Sequence, residues 1–181
     1  MSKTKTSYTI HHKNHIIELF NNDETIKLFS ASWHMEFGKF GSEIRDKDDN
    51  LCFSIVKKFK FWVWKMVFTI SKQDGSKYYL ESQNNRDSIY KTTIDNNSYE
   101  AKIHYKKKIS IFKNDAKTAE FDEFFSIENP EKGIQLLLEN SKDIATVFLL
   151  FACLKIGEIK QQSKSKFTNQ KQLEANEDSW F

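Results

Sequence analysis

Ile144-Ala-Thr-Val-Phe-Leu-Leu-Phe-Ala-Cys-Leu154 is an uncharged run that reads as a helix apolar on every face. A surface helix needs an apolar stripe and a polar opposite face, so a helix apolar all round must be enclosed. At roughly a dozen residues it is too short to cross a bilayer, which takes about 20. The segments before it read as strands, which predicts a β-structure wrapped around one central helix. Asn140 or Ser141 suits the N-cap, where a side-chain oxygen accepts from an otherwise unpaired backbone N–H. Asp143 suits the positive end of the helix dipole, and Lys155 with Gly157 suits the other end.

Upstream, one local pattern recurs about every 25 residues. Ile44-Arg-Asp-Lys-Asp-Asp-Asn50 leads into Leu51-Cys-Phe-Ser-Ile-Val56, Ile70-Ser-Lys-Gln-Asp-Gly75 into Ser76-Lys-Tyr-Tyr-Leu-Glu81, and Ile94-Asp-Asn-Asn97 into Ser98-Tyr-Glu-Ala-Lys-Ile103. Asp, Asn and Gly tolerate the positive φ of tight hairpins, so each unit is a strand, a turn and a second strand. Stacked hairpins form a meander that can curl and close. Tyr99, Ala101, Ile103 and Tyr105 alternate onto one strand face, as do Trp62, Trp64, Met66, Phe68 and Ile70. The second alternation predicts core packing for Trp62 and Trp64, with a membrane or ligand contact as the other reading. The opposite face of that strand, with Phe61, Val63, Lys65, Val67 and Thr69, is also largely apolar. It predicts a strand buried on both sides, with Phe61, Val63 and Val67 as a surface for a protein partner or a second copy.

Ile26-Lys-Leu-Phe29 and Trp33-His-Met-Glu-Phe37 also read as strands, broken near Gly38 and Gly41. Gly133-Ile-Gln-Leu-Leu-Leu138 reads as a last strand or the start of the helix. Residues 1–160 are expected to form one domain. Residues 161–181, rich in Lys, Gln and Ser, are expected to form a mobile tail, with Trp180-Phe181 incidental or weakly docked.

A chain of 181 residues with 39% hydrophobic and 29% charged residues is long and apolar enough to bury a core. A net charge of +3 is too small to imply nucleic-acid binding. Cys52 and Cys153 cannot by themselves form a disulfide scaffold or a four-ligand zinc site, and both sit in apolar runs. The start, Met1-Ser-Lys-Thr-Lys-Thr6, has no apolar stretch after its basic residues, so a reducing cytoplasm is the expected compartment.

Successive hairpins with Asp/Asn/Gly turns, followed by an apolar C-terminal helix, resemble the tubby C-terminal-like superfamily, which includes tubby proteins, phospholipid scramblases and LURP-one-related proteins. The resemblance spans roughly Ile26 to Ile159 and rests on the three turns quoted above and the helix from Asp143 to Ile156. It implies a closed antiparallel barrel of about twelve strands threaded by the helix. It also implies a non-catalytic binding or scaffolding module, peripheral to anionic phospholipid.

Candidate lipid contacts are Lys57, Lys58 and Lys60, and separately Lys106, Lys107 and Lys108, each worth about 1 kcal/mol near anionic head groups. The same lysines also fit solvated hairpin tips, where Lys discourages edge pairing. Arg is scarce, so these cations act as point charges without bidentate geometry. His11, His12 and His15 have a spacing that could bind a transition metal, but with only Glu18 nearby they read as part of a polar strand. Asp46, Asp48 and Asn50 mimic the opening of a calcium loop without its Gly and closing Glu, so turn geometry explains them better. Cys153, in the buried helix, would make a costly thiolate and reads as structural. P-loop, dinucleotide and nucleophile-elbow motifs are lacking. No catalytic residue, metal or cofactor is expected.

Overall fold

Twelve strands form a single antiparallel ring in which each pairs with its neighbours in sequence and the first pairs with the last. The structure is a computed structural model that describes residues 4–36, 39–123, 126, 133–156 and 175–181. The strands are β1 (Thr6–Lys13), β2 (Ile16–Asn21), β3 (Lys27–Glu36), β4 (Lys39–Asp46), β5 (Leu51–Lys60) and β6 (Lys65–Lys72). They continue as β7 (Lys77–Ser82), β8 (Ile89–Ile94), β9 (Asn97–Ile103), β10 (Lys108–Lys113), β11 (Ala116–Asp122) and β12 (Ile134–Leu138). The helix α1 (Ile144–Lys155) follows.

Local chemistry accounts for the meander. In β8, Tyr90, Thr92 and Ile94 are buried while Lys91 and Thr93 are exposed, the period of two that a one-sided strand requires. Asp95 and Asn96 both have positive φ, as do Asn114 and Asp115, so two hairpins close through two-residue loops with the twist that suits the strands. Gly75 takes φ +86° at a third turn. At the fourth, Asp46 Oδ1 accepts from the backbone N–H groups of Asp48 and Asn50, each at 2.9 Å. Asp46 therefore serves the turn. Outside, ion pairs such as Arg45–Glu43 and Lys91–Glu100–Lys102 decorate the wall.

The lumen is filled by α1. Val147 through Cys153 are all buried, Phe148 stacks on Phe29, and Phe151 stacks on Phe121 with ring centroids 4.4 Å apart. Burying a Phe side chain is worth about 1.5–3 kcal/mol, which makes the helix the main apolar filling of the barrel. Asn140 Oδ1 accepts from Lys142 N in the 3-10 turn that leads into the helix. Asp143 there pairs with Lys113 at 2.7 Å. The chain order carries α1 from the end of the barrel holding the Asp/Asn/Gly turns to the opposite rim, which carries the β3–β4, β5–β6, β7–β8 and β9–β10 connections. At that rim Lys155 pairs with Glu123 at 2.6 Å, and both side chains are nearly buried.

Several sequence expectations are corrected. Residues 27–36 form one strand, and Gly41 lies inside β4. Of the two readings of the segment after Gly133, the last strand is the one that holds, as β12. The alternation from Trp62 to Ile70 does not belong to one strand. Phe61–Val63 form a 3-10 turn, Trp64 sits in the left-handed region at φ 49°, and β6 begins only at Lys65. Trp62 and Trp64 are consequently not core residues. Val67 is 3% exposed, in register between Lys58 and Glu81, so it presents no surface to a partner.

Candidate functional site

The β5–β6 connection is where the barrel departs most from the rule that aromatics go inside. Trp62 is 97% exposed, Trp64 72% and Phe61 71%. The side chain of Val63 lies outside the described residues. The tip is nonetheless ordered. Phe59 meets Phe61 and Trp64 edge to face, with centroids 5.0 and 5.8 Å apart, a preferred arrangement for ring quadrupoles. Single exposed apolar residues are ordinary, but three large exposed aromatics within four residues of one hairpin are not.

The surroundings are basic. Lys58 and Lys60 are exposed on β5, and Lys65 opens β6. Lys60 and Lys65 stand directly opposite each other in the ladder, a like-charge pair that disfavours the hairpin on its own. Glu81 relieves part of this by pairing with Lys60 at 3.1 Å. Trp64 adds backbone strain, since a bulky residue with positive φ is uncommon and costs about 1 kcal/mol or more. Aromatic exposure, like-charge opposition and strain all coincide in the six residues from Lys60 to Lys65.

The other predicted lysines divide. Lys57 does not face solvent with its neighbours. Its ammonium donates to Ile156 O at 2.7 Å and so caps the negative end of α1. That is a structural role, set by strand alternation that turns residue 57 to the lumen and residue 58 outward. Lys106 and Lys107 are exposed, both at positive φ, on the β9–β10 connection. They share a rim with the aromatic tip, with the β7–β8 connection between them. Lys108 is largely covered, because it reaches Ser179 Oγ at 2.9 Å and lies over the Phe181 ring.

The remaining candidates carry no site. His11 bonds Glu24 at 2.8 Å, while His12 and His15 pack edge-on against Trp33, so the three imidazoles do not converge. Among the described residues no group of three or more His, Cys, Asp or Glu is placed to hold a metal. Burial pushes the Cys153 thiol far above its ordinary value and raises Cys52 less, so neither resembles an activated nucleophile. A cavity of about 380 Å³ is lined by Lys113, Ala116, Thr118, Glu139, Asn140 and Asp143. The ion pair Lys113–Asp143 in its lining holds the entry to α1.

The signal that could have located the tip in the sequence is length. Leu51 to Lys72 far exceeds a strand, which rarely passes about 10 residues. A turn must therefore fall near the middle, where Phe61-Trp62-Val63-Trp64 stands, but no Gly, Asn, Asp or Pro marks it. Comparison with protein-family models, curated proteins and solved structures finds no match to this chain.

Proposed function

We propose that this protein is a non-catalytic module that attaches peripherally to anionic membrane surfaces through the β5–β6 tip. The observation that carries this reading is the exposed trio Phe61, Trp62 and Trp64, flanked by Lys58, Lys60 and Lys65. Tryptophan suits the membrane–water boundary because its ring is apolar and its N–H is polar. Lysines beside it meet the head groups at about 1 kcal/mol each, an attraction that salt screens. Lys106 and Lys107 on the same rim extend the basic footprint. Among the described residues no helix is long and apolar enough to cross a membrane, and attachment at the rim needs none. The tubby-like resemblance, with its members acting at membranes, points the same way and is part of the proposal, as is a cytoplasmic location.

Co-sedimentation with neutral and anionic vesicles, at low and high salt, tests the reading. Binding is expected to anionic vesicles only, to weaken with salt, and to fall at least about tenfold in a Trp62→Ala/Trp64→Ala variant. Failure to bind any vesicle would sink the proposal. Binding that the tip substitutions leave unchanged would move it to another surface.

A further inference from the structure

Glu120 lies in β11 between Ala119 and Phe121, and Phe121 stacks on the lumenal Phe151, so Glu120 points to the outer wall. A carboxylate there should face water. Its side chain instead has 0% exposure, because residues 175–181 lie across it.

The segment makes its contacts through specific groups. Asn176 Nδ2 donates to Glu120 Oε1 at 2.8 Å, and the Ser179 hydroxyl donates to the same oxygen at 3.1 Å. Trp180 N donates to Oε2 at 2.8 Å. Lys117, also bonded to Oε2, donates to Asp178 O at 2.6 Å. Two cations lie over the Trp180 ring, Lys5 at 4.1 Å and Lys117 at 5.2 Å from its centroid. Lys108 sits 5.3 Å from the Phe181 ring. A buried carboxylate is tolerated only when its acceptor positions are filled in this way.

The barrel does not need the segment. All twelve strands pair around the ring without it, and residues 175–181 add no strand. Leaving would return Glu120, Lys108 and Lys117 to water and open no cavity in the lumen. Those are the properties of a ligand lying on a receptor surface.

We propose that the outer wall formed by Lys5, Lys108, Lys117 and Glu120 is a peptide-recognition site, and that the segment Asn176-Glu-Asp-Ser-Trp-Phe181 is its resident ligand, read through Asn176, Ser179 and Trp180. Being part of the same chain, the segment competes as an intramolecular ligand, so it holds the site against peptides supplied in trans.

The test uses the whole chain with Trp180→Ala and Phe181→Ala, which removes the aromatic anchors and leaves the barrel's pairing intact. A fluorescent peptide of sequence Ala175–Phe181 is titrated against this variant, the unaltered chain and the variant carrying Glu120→Gln. The peptide should bind the anchor-deleted variant at least about tenfold more tightly than the unaltered chain, and Glu120→Gln should abolish that binding. Hydrogen exchange on the otherwise unaltered chain gives a second readout, since Glu120→Gln should strip protection from residues 175–181 and leave the strands protected. No binding to the anchor-deleted variant would overturn the proposal. Binding and protection indifferent to Glu120→Gln would overturn it too.

Discussion

Two clusters in this barrel are both built from large aromatic residues and have opposite fates. In the lumen, Phe121, Phe148 and Phe151 are shielded from water and stack pairwise with one another or with the half-buried Phe29. At the rim, Phe61, Trp62 and Trp64 stand almost fully in solvent. Hydrophobicity does not separate them, since Trp62 is as greasy as any residue of the core. Backbone geometry does. Phe121 lies on β11, where it faces the helix and stacks on Phe151, whereas Phe61 and Trp62 lie on a 3-10 turn outside the strand ladder. An aromatic residue is buried because of where its backbone points, not because of its hydrophobicity alone.

The sharpest way to break this contrast is to truncate one residue of each cluster. Phe151→Ala should destabilise the fold by about 3–5 kcal/mol, measured by chemical denaturation, because the tightly packed lumen cannot collapse onto the void. Trp62→Ala should change stability by no more than about 0.5 kcal/mol and act on vesicle binding alone. If both substitutions cost the same, the division into core and contact surface is wrong.

A charged pair sharpens the boundary between lumen and rim. Lys155→Met should cost about 3 kcal/mol or more, because Glu123 would keep a nearly buried and unneutralised carboxylate. Adding Glu123→Gln should recover much of that loss. A simple sum of the two single effects would show that the pair is not coupled.

Trp64→Gly should move the two properties of the tip in opposite directions. Glycine relieves the positive φ, so stability should rise by about 0.5–1 kcal/mol, while vesicle binding weakens with the lost indole. A destabilised variant would show that the edge contact with Phe59 outweighs the strain.

The smallest effect lies at the opposite end of the barrel. Asp95 accepts from Lys72 and from the Tyr78 hydroxyl at 2.6 Å, and these bonds, Lys72 first, hold its carboxyl below the ordinary carboxylate range. The folded value is lower than the unfolded one, ~3.9, so the stabilisation is fully present above that pH and fades as pH falls through the folded value. The site is exposed, so the effect is small. Asp95→Asn should flatten the acid side of the stability profile slightly and leave neutral-pH vesicle binding unchanged.

How far the sequence carried differs by feature. The enclosed helix was readable from Ile144 to Leu154 because no polar face interrupts the run. The hairpins at Asp46–Asn50, Asp74–Gly75 and Asp95–Asn96 were readable because their turns use residues that accept unusual backbone angles. The β5–β6 turn was hidden because it is built from Phe, Trp and Val, which by propensity extend a strand. Among the candidate lysines, Lys57 and Lys58 are adjacent and chemically identical. Only the pleat sends one to the helix terminus and the other outward.

By itself, then, the sequence determined that strands surround one apolar helix, since amphipathic period and turn chemistry are local properties that survive without knowledge of neighbours. The tertiary structure alone decided that residues 61–64 form a protruding tip, that Lys108 and Glu120 are covered by residues 175–181, and that Lys155 meets Glu123. Each of those depends on groups far apart in the chain, and only ring closure determines which distant side chains share a face or a rim.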